Sequence, residues 1–201
     1  MAKEKWDKQF SENQFTYGKK ANTFIQEKSS LFTPDSQIAC FAEGEGRNAV
    51  YLAKQGHTVT AYDLSSVGLE HTRLLAEETK VTVQTVEADL TKDEIEKDKY
   101  DGAIMVFGHV AEENQAYFIK NMINAVKPGG LFIFEVYSKE QLKYNTGGPG
   151  NKQFLYDPKQ LLTWMEAYTC LHFYYGEANR EEGYRHTGVG HVIQSVIKKK
   201  Q

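Results

Sequence analysis

The chain has 201 residues, 40% of them hydrophobic and 25% charged, with a formal net charge of −3. That length favours one domain, residues 1–201, with a core that needs no staples, and the charge balance excludes the basic footprint of nucleic-acid binding. The two cysteines, Cys40 and Cys170, lie far apart without metal-ligand spacing, which excludes a disulfide scaffold or structural zinc and points to a reducing compartment.

Residues 1–36 mix aromatic and polar residues and are expected to form one or two helices. "MAKEKWDKQF" lacks the apolar stretch of a signal peptide, and no run in the chain reaches the length of a membrane span. A cytoplasmic protein with no membrane partner is therefore expected. Beyond residue 36, five short apolar or β-branched runs read as buried parallel strands: Gln37–Ala42, Thr58–Tyr62, Val81–Val86, Gly102–Val106 and Leu131–Val136. Between them, Asn48–Gln55, Val67–Thr79 and Glu112–Val126 have helical spacing. Lys127-Pro128-Gly129-Gly130 reads as the stop of the last helix and the turn into a strand. Further on, Gly147–Asn151 reads as a flexible loop and Asp157–Tyr168 as a helix. Leu171–Ala178 and His191–Lys198 read as an antiparallel hairpin joined by the charged turn "NREEGYR", and "KKKQ" as a solvated tail. The alternation predicts an α/β fold, a doubly wound sheet with helices on both faces.

In such a sheet, ligands sit outside the carboxyl ends of the strands. The first strand ends in "AEGEG", where Gly44 and Gly46 permit close approach and positive φ. Arg47 and Asn48 then open a helix whose free N–H groups favour an anion. Asp63 ends the second strand, where a carboxylate can accept from both hydroxyls of a ribose. A glycine pair alone would serve equally as a tight turn, and Asp63 as a helix cap; the order of the elements carries the nucleoside reading. "GEGRNA" fits the dinucleotide pattern G-x-G-x-x-G/A, so an NAD-binding oxidoreductase is an alternative. Glu43 and Glu45 beside the turn would repel a pyrophosphate but accept from an amino-acid ammonium. S-adenosylmethionine (SAM), an amino-acid-bearing nucleoside without phosphate, fits those charges. Asp89, ending "TVEADL", is placed to accept from an adenine amine and Leu90 to offer a backbone N–H; a plain cap is the competing role for Asp89. Leu64 and Phe107 complete the expected cofactor set.

The segments "AEGEGRNAVYLAKQGHTVTAYDLS", "VEADL", "YDGAIMVFGHV" and "VKPGGLFIFEVY" resemble the class I SAM-dependent methyltransferases. The chain is most similar to the small bacterial branch with the tellurite-resistance and thiopurine-type enzymes, and "WDKQF…FTYGKKAN" (Trp6 to Asn22) resembles that branch's N-terminal segment. The resemblance implies a Rossmann-like seven-stranded sheet with an antiparallel last strand. It also implies that residues 1–36 fold over the site as a lid carrying Tyr17 and Asn22. Two positions depart from the family, which usually has an acid where Cys40 stands and a glycine where Ala42 stands. Glu43 is the expected substitute for the lost acid, and Cys40 the expected small apolar filler. Departures of this kind keep a non-catalytic SAM-binding module as a further alternative.

Methyl transfer from a sulfonium is an in-line displacement that rests on positioning and desolvation and requires no metal. An acceptor that is already a thiolate or oxyanion requires no general base. His109, after the fourth strand, and Tyr137, ending the fifth, are the candidate catalytic residues, while His186 and His191 are expected to flank the last strand. The expected acceptor is a small molecule, leaving S-adenosylhomocysteine (SAH) as product.

Overall fold

The computed structural model describes residues 2–11, 15–183 and 186–200. The apolar runs form one seven-stranded sheet: β1 (Gln37–Phe41), β2 (Thr58–Asp63), β3 (Val83–Glu87), β4 (Tyr100–Val106), β5 (Val126–Tyr137), β6 (Thr169–Glu182) and β7 (His186–Lys198). Their order across the sheet is 3-2-1-4-5-7-6. β1 to β5 pair in parallel, and β7 runs antiparallel to both β5 and β6. The architecture is the Rossmann-like one, with its last strand reversed. Strand order turns back between β1 and β4, so the crevice outside their carboxyl ends is the switch point where ligands bind.

Strand residues alternate between two cores because side chains point to opposite faces in turn. Phe132 and Phe134 of β5 face α5 (Glu112–Ala125) and α6 (Pro158–Met165), packing with Phe118, Ile119, Met122 and Leu161. Ile133, between them, faces the other side with Ile38, Cys40 and Ile104. That side is covered by α2 (Thr23–Lys28), α3 (Arg47–Lys54) and α4 (Ser66–Glu78). Each such large side chain, fully buried, contributes about 1.5–3 kcal/mol of transfer free energy. Cys40 is fully buried here, as a small apolar filler should be. Helix starts follow local chemistry: Asn22, Ser65 and Asp157 each accept a backbone N–H at the first turn of α2, α4 and α6.

Three expectations are corrected. β5 begins at Val126, not Leu131, because Val126 pairs with Tyr100 and Gly129 and Gly130 bond to Lys199 across the ladder. Lys199 is correspondingly no solvated tail residue. Its ammonium donates to the carbonyls of Ile123 and Val126 at 3.4 and 2.8 Å, closing the end of α5, and pairs with Asp98. In the hairpin, Asn179–Glu182 belong to β6 rather than to a turn, with Glu182 opposite His186; Tyr184 and Arg185 lie outside the described residues. The Gly147–Asn151 loop is exposed at Gly148, Gly150 and Asn151, with Gly148 lying against the ring of Tyr137, where a Cβ would stand 2.8 Å away. Residues 12–14 of the Trp6–Asn22 segment are also outside the described residues. Among the described residues, no helix is long and apolar enough to cross a membrane.

Candidate active site

Three residues between β1 and α3 have positive φ: Ala42 at 50°, Gly44 at 63° and Gly46 at 85°. Close packing explains the glycines. A Cβ on Gly46 would lie 2.7 Å from Thr72 of α4, and one on Gly44 would lie 3.0 Å from the ring of Phe10. The free amides of α3, expected to meet a ligand's anion, meet this chain's own carboxylate instead. Glu43 Oε1 accepts from the N–H groups of Asn48 and Ala49, both at 2.8 Å. Burial pushes Glu43 up to about 7, against those hydrogen bonds and the nearby Arg47 charge. Glu45 is spent elsewhere too, accepting from Thr16 N–H at 2.8 Å and pairing with His71 at 2.8 Å. Glu45 thus ties down the N-terminal segment rather than facing the turn.

Asp63 joins the two carboxyl-end turns. Its Oδ2 accepts from Gly44 N–H and its Oδ1 from Ser65 N–H, each at 2.8 Å. A carboxylate has about four lone-pair sites, so roughly two remain. Burial pushes Asp63 up to about 6, opposed by the amides of Ser65, Gly44 and Leu64. α1 (Ala2–Phe10) roofs this corner: Lys3 donates to the carbonyl of Leu64, and Asp7 accepts from Ser65 Oγ. Phe10 lies on Gly44 and Gly68. Asp89 stands apart, its carboxylate held within its own turn by Thr91 and Lys92, while Leu90 is buried and its carbonyl accepts from Asn121.

A run of rings leads from that corner across the sheet edge. Phe10 contacts Tyr17, Tyr17 contacts His186 at 4.6 Å, and His186 meets Phe107 edge-on at 4.7 Å. Phe107 stacks on Tyr137 at 4.3 Å and carries a φ of 55°, a strained conformation for a bulky residue. Sequence reasoning put His186 only on a strand flank; the length of β6 and β7 carries it into this group. His109, which the sequence allows either to orient the acceptor or to bond a loop without doing chemistry, has both ring nitrogens engaged by backbone. Its Nδ1 lies 2.7 Å from the carbonyl of Phe154 and its Nε2 accepts from Tyr137 N–H at 3.3 Å. Burial pushes its pKa down to about 4, so the ring is a neutral brace between two backbone groups at neutral pH. Tyr137 is buried and its phenol is likewise shifted up by burial.

A methyltransferase domain matches residues 38–130, the stretch from β1 through the Gly-Gly of β5. The ubiquinone biosynthesis O-methyltransferase of Rickettsia typhi is 32% identical over 130 residues, covering 62% of this chain and 51% of that protein. Its counterpart from Rickettsia felis is 35% identical over 107 residues, covering 52% and 42%. This chain thus spans about half the length of the curated relatives it matches. The crystal structure of TehB from Haemophilus influenzae superposes with a TM-score of 0.73 at 17% identity, covering 98% of this chain and 67% of that one. A structure from echinomycin biosynthesis gives a TM-score of 0.75 at 15% identity, covering 100% and 93%. Residues 38–130 are thus similar to a methyltransferase domain, and the whole chain shares the fold of TehB.

The helix-opening Arg47 points away from the glycine turn, into a buried polar cluster. Its guanidinium pairs with Glu182 at 2.7 Å and approaches the carbonyl of Lys20. Arg180 grips Glu135 with two N–H groups, one of them Nε at 2.8 Å, and Gln194 donates to the same carboxylate at 2.6 Å. Asn22 Nδ2 donates to both Glu135 and Glu182, at 3.1 and 2.9 Å. The cluster was legible only as an oddity, a glutamate inside the apolar strand "FIFEVY".

Proposed function

We propose that this chain transfers a methyl group from SAM to a small-molecule acceptor in the crevice where the β1 and β2 turns meet. The observation that carries the proposal is the bond from Gly44 N–H to Asp63, which brings a glycine turn and a buried acid together at the switch point. When bound, the cofactor supplies an electrophilic methyl group on a sulfonium. Asp63 would hold the ribose through its spare lone pairs, and Leu90 with Asp89 at the rim would meet the adenine. Glu43 Oε2, which among the described residues accepts only from Asn48 Nδ2 at 3.5 Å, would accept from the ammonium beside Gly44 and Gly46. Asn48 holds Glu43 in place, Leu64 and Phe107 would border the nucleoside, and Tyr17 covers it.

The names of the rickettsial relatives support an oxygen acceptor. His109 has both nitrogens engaged and Tyr137 has a raised phenol, so neither takes a proton readily near pH 7. An acceptor that brings its own oxyanion or thiolate suits this site, with His109 and Tyr137 shaping its walls. The unpaired cysteines, Cys40 buried and Cys170 exposed, suit a cytoplasmic setting. The test is calorimetric titration with SAM, SAH and NAD in parallel. Micromolar binding of the first two alone is expected; binding of NAD alone would reject the cofactor assignment.

A further inference from the structure

The buried cluster behind the glycine turn joins four segments that are distant in sequence. Asn22, fully buried, has every polar atom of its side chain and its backbone N–H engaged. Its N–H donates to Asn48 Oδ1 at 2.9 Å, its Oδ1 accepts from Ile25 N–H at 3.1 Å, and its amide bridges Glu135 of β5 and Glu182 of β6. Arg47, the residue after Gly46, supplies the counter-charge to Glu182, and Arg180 supplies that to Glu135. Two guanidiniums and two carboxylates therefore balance in a nearly water-free space. Networks of this kind contribute little net stability compared with an apolar core, but removing one member leaves a buried charge uncompensated. Geometry is what such a cluster enforces.

We infer that Asn22 is a positioning residue: it locks residues 15–22, the α3 end of the glycine turn and the Arg180–Glu182 end of β6 into one unit whose segments loosen and order together. Arg47 reinforces the bridge, since its guanidinium approaches the carbonyl of Lys20 and pairs with Glu182, and the backbone of Thr16 and Tyr17 packs against Gly183 beside the ring contact of Tyr17 with His186. That the unit orders on the cofactor rests on the function proposed above, whereas the coupling itself does not.

The test is hydrogen–deuterium exchange on the whole chain, first without ligand. Asn22→Asp keeps the helix cap and the size but places a third carboxylate against Glu135 and Glu182. It is expected to speed exchange of residues 15–22 and 177–183 together by about tenfold, a mid-range coupling within one network, while α5 is unchanged. Asn22→Asp combined with Glu182→Gln restores an amide–carboxylate pair with donor and acceptor exchanged, and should return both segments towards their original rates. Independent responses of the two segments, or no rescue by the double variant, would overturn the inference. If Asn22→Asp does not fold, Glu182→Gln alone decides, since the loss of one charge must loosen both segments and not only the hairpin. With SAH added, both segments should slow together in the unaltered chain and separately in Asn22→Asp. Failure of SAH to bind the unaltered chain rejects the cofactor reading and leaves the ligand-free comparison to decide the coupling.

Discussion

Replacing Asp63 by Asn removes a charge while preserving shape. Asp63 accepts from Gly44 and Ser65 at 2.8 Å each, and Asn can satisfy only one of these amides, since its NH₂ meets the other N–H. One unsatisfied buried donor costs about 1–3 kcal/mol of fold stability. Binding suffers separately. A hydroxyl donating to a charged acceptor gains about 1.5–3 kcal/mol, so losing that charge should weaken SAH binding roughly 10- to 150-fold at neutral pH. The sign of the pH effect follows from the raised pKa, about 6 against an ordinary 3.8. The folded chain holds this proton more tightly than the unfolded chain. Its contribution to stability is therefore complete below pH ~3.8 and is lost as the pH rises through ~6. Cofactor affinity runs the other way, because ribose hydroxyls need the ionised form. Below pH ~6, the dissociation constant for SAH should rise by up to roughly tenfold per pH unit. The assay is isothermal titration with SAH from about pH 5 to about pH 8, on the unaltered chain, Asp63→Asn and, to separate the nearby Glu43, Glu43→Gln. Equal affinity of Asp63→Asn and the unaltered chain at neutral pH would refute the ribose role. A pH slope that survives in Asp63→Asn but vanishes in Glu43→Gln would move the titration to Glu43.

His109 should not titrate near neutrality: its imidazole resonances are expected to stay at the neutral position from pH 8 down to pH ~5, and a midpoint near 6.5 would show a free ring. Gly46→Ala meets both a left-handed φ and Thr72 at 2.7 Å, and should cost roughly 2–5 kcal/mol in denaturant unfolding. Thr72→Ala in the same chain should recover only part of the packing share, because the Cα of residue 72 stays 2.8 Å from the added Cβ, and full recovery would refute the φ penalty. Ala42→Gly should stabilise by up to ~1 kcal/mol, since relief of a left-handed alanine outweighs the extra freedom of the unfolded chain. A lower melting temperature for that variant would mean that the Ala42 methyl group packs better than its backbone suffers.

The sheet was legible because buried parallel strands need continuous apolar runs, and β1, β2 and β4 supply them without competing signals. Gly44, Gly46 and Asp63 were legible for a related reason, as local punctuation at strand ends. What local pattern could not show was where acidic side chains spend their oxygens. Glu43 and Glu45 look alike beside the glycines, yet one caps α3 and the other reaches Thr16 and His71. The hairpin was read too short because "NREE" looks like a turn, whereas Arg180 and Glu182 are buried by partners 45 and 160 residues away. Phe10 was missed for the same reason. Its place on Gly44 is a tertiary packing event, with no periodicity in the short first helix to announce it.

The 160-residue separation between Asn22 and Glu182 also orders events in time. At elongation rates of about 5–20 residues per second, roughly ten to thirty seconds pass between the synthesis of the two ends of that hydrogen bond. β1, β2 and β4 can pair well before then, because loop closure over shorter spans costs less entropy. A growing chain can therefore carry a formed glycine turn with Arg47 still in water and the Asn22 amide group still without Glu182, until the last hairpin arrives and dries the cluster. A chain truncated before Glu182 would keep the ties of its cover to Glu45 and Asn48 but leave the Arg47 guanidinium and the Asn22 amide without their Glu182 partner.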